Sequence, residues 1–201
     1  IQTKDQAYIV DNSSWSCLCG DLKRWKEDCN CNVDYDKYNK RVSGEWKKIL
    51  FNAIHTVSDE IVRITDEVLQ SLVKDPHAAK KEYVHVYLRQ ITESEFIGKH
   101  AQRNLQSQEI LQVLKICTLQ IYRLAAFTSC GWFFADLYRP EPRIVIGNAK
   151  KAISLLGEVG KIKEMLQIED TFVKLLSLSK SNFSNLTGKD IYLEFQQIVA
   201  S

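Results

Sequence analysis

From Trp46 to Leu72 the apolar residues recur at steps of three and four: Trp46, Ile49, Leu50, Ala53, Ile54, Val57, Ile61, Ile64, Val68, Leu69 and Leu72. A helix turns once every 3.6 residues, so this spacing paints one face of a single long amphipathic helix. A strand would need alternation at every second residue, and no convincing run of that kind occurs anywhere in the chain. The same helical period returns further on. Asp75-Pro76 reads as an N-cap with proline at the first helical position, opening a helix that turns Ala79, Tyr83, Val84, Tyr87, Leu88 and Ile91 inward.

Ser107 is a candidate cap for a third strong helix, with Glu109 near its positive end. Its buried face is expected to hold Ile110, Leu111, Leu114, Cys117, Ile121, Leu124 and Ala125. The pattern loosens at TSCGWFF, where Gly131 is placed to break or kink the helix. RPEPR then reads as a turn leading into a helix through Ile144, Ile146, Ala149, Ile153 and Leu156. Two more helices fit Ile162–Ser179 and 189–199, separated by the polar loop SKSNFSNLTG. The expected architecture is an all-α bundle of about five to six helices, residues 43–201, preceded by an irregular Cys- and Trp-rich segment, residues 1–42.

The 201 residues are enough for one sizeable core. A net charge of +2, with 27 basic and 25 acidic side chains interspersed, gives no nucleic-acid signature. No continuous apolar run reaches the roughly 20 residues that cross a bilayer, so no membrane is expected either. IQTKDQAYIV lacks the pattern of a signal peptide and an initiator methionine, and reads as a processed end or as the edge of a piece of a longer protein.

The sharpest chemical signal is WSCLCGDLKRWKEDCNC, which brings Cys17, Cys19, Cys29 and Cys31 together as C-x-C-x9-C-x-C. Two close pairs joined by a loop can supply the four tetrahedral ligands of zinc. Disulfides between the pairs, an iron–sulfur cluster and free thiols remain open alternatives. Cys117, inside a helical pattern, reads as a small buried hydrophobe, and a reducing, cytoplasmic compartment is favoured.

A second constellation is aromatic: Trp15, Trp25 and the Trp132-Phe133-Phe134 run at the helix break. Flat apolar rings at irregular backbone stack on the C–H faces of sugars, although they also fill gaps between helices. Asp28 and Asp136 lie beside these features and are the acids of interest, while Asp59, Glu60, Asp66 and Glu67 read as a solvated helix face. The four histidines are scattered, and no H-E-x-x-H, G-x-S-x-G, P-loop or G-x-G-x-x-G is present. Asn12, Asn182 and Asn185 stand in Asn-x-Ser/Thr triplets.

Four segments carry a resemblance. SSWSCLCGDLKRWKEDCNC, KDPHAAKKEYVHV, TSCGWFFADL and SKSNFSNLTGKDIYLEF occur in the order found in the C-terminal domain of unknown function 3536 of glycoside hydrolase family 57-like proteins. The matching positions are Trp15, Cys17, Gly20, Arg24, Trp25, Asp28, Cys29, Cys31, Cys130, Gly131, Trp132 and Phe133. Cys19 replaces the family's histidine, which keeps a zinc donor but not an acid–base group. Asn30 replaces a glycine, and Ala135 shifts Asp136 by one place.

The resemblance implies a larger protein in which a catalytic barrel in the same parent chain precedes this helical part and holds the acids that act on α-glucan. On that expectation this chain is inactive alone and its N-terminal segment and TSCGWFF bend form one wall of a glycan cleft. Trp15, Trp25 and Trp132 would stack on sugar rings, Arg24 and Asp28 would bind hydroxyls, and Asp136 would lie close by. A structural zinc domain and a protein-interaction module are the alternatives.

Overall fold

The computed structural model describes residues 42–197, with side chains to residue 195, and isolated positions 8, 11, 22 and 23. It is all-α: α1 (Glu45–Leu69), α2 (Pro76–Glu82), the single turn α3 (Val84–Tyr87), α4 (Glu93–His100), α5 (Ser107–Ala125), α6 (Pro140–Glu158), α7 (Ile162–Leu176) and α8 (Gly188–Gln197), with a 3-10 turn at Ser129–Trp132. Among the described residues, only isolated bridges such as Val73–Ala101 and Lys180–Thr187 have β character. α5 runs along α6, α6 along α7, and α1 packs against α7, while α8 closes the end over α6 and α7.

α1 forms as its periodicity predicts, burying Trp46, Leu50, Ala53, Ile54, Val57, Ile61, Ile64 and Leu69. Asp75 caps α2, its carboxylate accepting the N–H groups of His77 and Ala78 at 2.9 and 3.0 Å. The predicted continuation to Ile91 does not occur. The chain breaks at Tyr83, and Val84, Tyr87 and Leu88 of the short α3 are exposed, because a single peripheral turn has no neighbour on that face.

α4 is an element the apolar pattern alone did not reveal. Thr92 and Glu95 form a capping box, and its core contact is Phe96, stacked edge-on against Tyr83 at 5.5 Å. The Thr-x-x-Glu spacing was its sequence signal.

At α5 the cap is Gln106 rather than Ser107, again with a capping-box partner, Glu109. The Arg103 guanidinium and the Gln106 N–H hold the Glu109 carboxyl down at about 2. The buried face is also rotated from expectation. Val113, Ile116 and Leu119 are buried, whereas Leu111 and Leu124 are 44% and 59% exposed.

A helix flanked on more than one side buries a wider arc than a simple stripe, and periodicity does not tell which edge of the stripe is covered. By length and composition, Ser107–Trp132 contains a window apolar enough to cross a membrane, although polar residues interrupt its apolar runs. In the bundle, that stretch contributes Val113, Ile116, Cys117 and Leu119 to the core.

α1 and α5 are also joined by polar contacts. Gln120 is buried and donates to Thr65 Oγ1 at 3.1 Å. Arg123 donates to Gln120 Oε1 at 2.6 Å and to Ser58 Oγ at 2.7 Å. Desolvation lowers the Arg123 pKa, offset by the charges of Asp59 and Asp66. Such contacts leave few donors unmet between the two helices and define their register.

Gly131 is needed for closeness rather than for a kink. A Cβ built on it would collide with Val145 Cγ2 of α6, which is buried and stiff at χ1. Gly98, in contrast, lies on the exposed side of α4 with nothing near its absent Cβ. Gly131→Ala is therefore expected to cost about 1–3 kcal/mol by overpacking, and Gly98→Ala to add roughly 0.4–1 kcal/mol. Urea unfolding of the two variants checks both signs.

Candidate functional site

Two of the segments singled out in the sequence, TSCGWFFADL and SKSNFSNLTG, meet in space at the end of the bundle where α1 begins. Asp136 is the centre of this corner. It is 5% exposed, and its carboxylate accepts the Tyr138 N–H at 2.9 Å, the Ser181 hydroxyl at 2.9 Å and the Asn182 N–H at 2.5 Å. Three donors from two loops compensate the loss of water around the charge.

Asn182 completes the lock. Its side-chain amide donates to the Ser43 carbonyl at 2.9 Å and to the Ala135 carbonyl at 2.7 Å. Ser181 Oγ in turn accepts the N–H groups of Phe183 and Ser184, and Ser179 Oγ donates to the Trp46 carbonyl at 3.2 Å. Ser43, Ala135 and Asn182 thus come from three parts of the chain and share one set of bonds. The loop then runs directly into α8, whose start is held by Asp190 Oδ2 accepting both the N–H and the hydroxyl of Thr187 at 2.7 Å.

Trp132 lies behind this corner, 1% exposed. Its indole N–H donates to the Lys47 carbonyl at 3.0 Å, and Phe51 meets its ring edge-on at 6.2 Å. The sequence reading offered it as a sugar-stacking platform. In the structure it is a core side chain that joins the 3-10 turn to α1, and its ring presents no face to solvent. Gly131 and Trp132 therefore serve one purpose, the close seating of this turn between α1 and α6.

Trp15, Arg24, Trp25 and Asp28, and the thiols Cys17, Cys19, Cys29 and Cys31, lie outside the described residues. Among the described residues no group of three or more histidine, cysteine or acidic side chains could hold a metal. Cys117 is buried, and desolvation pushes its thiol up to about 12, which keeps it protonated as a packed side chain. Cys130 is free and exposed on the 3-10 turn. His100 is buried against Phe96 and meets Glu82 at 3.1 Å, and His55 sits between the rings of Phe51 and Phe127.

Sequence reasoning missed the locking role of Ser181 and Asn182, since SKSNFSNLTG read only as a polar loop between helices. The Asn-Phe-Ser triplet signals a glycan acceptor, yet both amide hydrogens of Asn182 are committed to backbone carbonyls. Beside the corner is a cleft of about 210 Å³, with Ser43, Glu45, Trp46, Ile49, Leu178, Lys180, Ser181 and Asn182 around it. A larger groove of about 310 Å³ lies between α1 and α7, where Arg63 pairs with Glu60 and Glu67 at 2.5 Å. The neighbouring Arg63 guanidinium depresses the Glu60 carboxyl.

The fold and the corner define an all-α bundle domain whose terminal loops are locked by one buried carboxylate. Residues 43–199 match the family model of a domain of unknown function, DUF3536, and the chain belongs to that family. The match begins at Ser43, so the Cys- and Trp-rich run before it lies outside the matched residues. No curated protein and no solved structure matches the chain.

The lock makes a direct prediction. Replacing Asp136 by Ala strands the Ser181 and Asn182 donors and should lower stability by about 2–3 kcal/mol. Asn182→Ala should be less than additive with it, since both act on the same loop. A double-mutant cycle from urea denaturation measures that coupling.

Proposed function

We propose that this domain is a non-catalytic, glycan-facing part of a glycoside hydrolase family 57-like protein, forming one wall of an α-glucan cleft. The observation that carries the reading is the Asp136–Ser181–Asn182 lock, which holds two family-like segments together at the end of the bundle where α1 begins. Rigid support of a binding wall reduces the ordering cost of taking up a flexible sugar chain. Asp136 already accepts three hydrogen bonds, which suits a positioning residue better than an acid of hydrolysis.

On this reading the ring-stacking role falls to Trp15 and Trp25, with Arg24 and Asp28 binding hydroxyls, while Trp132 and Asp136 keep structural roles in the bundle. The acids of hydrolysis belong to the barrel of the parent chain. Maltoheptaose added to the 201-residue protein should change its tryptophan fluorescence saturably, and Trp25→Phe should weaken that response. The same protein should release no reducing ends from an α-glucan. Absence of any saturable response, or hydrolysis by this chain alone, would overturn the reading.

The C-x-C-x9-C-x-C spacing favours a second, compatible role: a zinc held by Cys17, Cys19, Cys29 and Cys31 that organises the N-terminal segment. Protein purified without added zinc should then carry about one zinc per chain by elemental analysis. Cys29→Ser should lose the metal. Four titratable free thiols with no metal would remove this role.

A further inference from the structure

Lys47, in the first turn of α1, is wholly buried, at 0% exposure, which is rare for a lysine. Its backbone carbonyl receives the Trp132 indole, but the three donors to Asp136 do not include its ammonium. Taking an ammonium out of water is costly, and such a group is held where a carboxylate stands against it. Trp46 does not meet that need. Its ring lies 5.7 Å from Lys47 Nζ, at the far edge of useful cation–π range, and its own indole N–H is a buried donor with no acceptor.

The acids at this end of the described bundle are committed elsewhere or face solvent. Asp136 takes Tyr138, Ser181 and Asn182. Glu141 pairs with Arg139, Glu194 pairs with Arg143, and Glu45 is exposed. The source that fits is the chain running directly into α1. Residues 1–41 carry carboxylates from Asp5 to Asp36, including Asp28 of the Cys-rich run. They join the bundle at Val42, which is itself buried just ahead of Lys47. An extended chain covers about 3.4 Å per residue, so a few residues leading up to Val42 are enough to cross the first turn of α1.

We infer that residues 1–41 dock over the start of α1 and that one of their carboxylates pairs with the buried Lys47 ammonium. A single cation sunk at the docking surface selects an acidic point on the segment and fixes where it lies along the helix. The first turn of α1 is already tied to Asn182 through Ser43 and to Ser179 through Trp46. Docking there brings the N-terminal segment against the corner that Asp136 locks. The inference does not depend on the glycan reading, because it concerns how the chain closes on itself whether or not a sugar binds.

The test is a set of double-mutant cycles on the full 201-residue chain, read by urea unfolding. Each Asp of residues 1–41 is changed to Asn and Glu27 to Gln, alone and together with Lys47→Met. That partner change keeps an unbranched side chain and leaves the Trp132 bond to the residue 47 carbonyl untouched. One of these acids should lower the folding equilibrium constant about a hundredfold or more in the parent chain, as loss of one member of a buried ion pair does. In the Lys47→Met background the same change should cost about threefold or less. Coupling below about threefold at every acid of the segment, or coupling at Glu45→Gln instead, overturns the docking. A second measurement needs no variant to fold. In the parent chain, nuclear Overhauser contacts should join the Lys47 side chain to the methylene protons of an Asp or Glu in residues 1–41, and contacts confined to residues 42–197 overturn the inference. The maltoheptaose response enters neither outcome, so this inference and the glycan reading fail separately.

Discussion

A buried carboxylate is the constraint around which this end of the molecule is arranged. Asp136 has almost no contact with water, and a charge in that position persists only where donors are gathered round it. The donors come from its own loop, at Tyr138, and from a loop more than forty residues later, at Ser181 and Asn182. The later loop therefore cannot move without exposing the charge or leaving it unpaired. Through Asn182 the same restraint reaches Ser43, and through Ser179 it reaches Trp46, so the first turn of α1 is tied to the two loops.

Behind the lock, packing needs two unusual residues. Gly131 lets the 3-10 turn approach Val145 of α6 more closely than any side chain would allow. Trp132 then fills the space towards α1 and satisfies its indole on the Lys47 carbonyl. Segments that read as a ligand platform, an aromatic run next to glycine, thus act here as a packed joint of the core. Large aromatics contribute more by burial than any exposed position would permit.

Much of the fold was legible. The long period-3.6 pattern of α1, the Asp75-Pro76 start and the all-α class follow from spacing and caps, which are local properties. The errors lay where a neighbour decides. Val84, Tyr87 and Leu88 are apolar at helical spacing but have no partner, and Leu111 and Leu124 lie just beyond the covered arc of α5. Of the candidate site residues, Asp136 was noticed only for its place after an aromatic run. Its partners at Ser181 and Asn182 were invisible because hydrogen bonds across forty-five residues leave no periodic trace.

The sequence by itself determined that the chain makes helices, roughly where they start, and which family its later three-quarters belongs to, because periodicity, capping and motif order are written locally. Only the tertiary structure decided that Trp132 is core, that Asp136 is a lock and that Trp46 has a donor without an acceptor. Each of these depends on which side chains are brought together from distant parts of the chain. Burial and hydrogen-bond satisfaction belong to the assembled bundle and to no single segment of it.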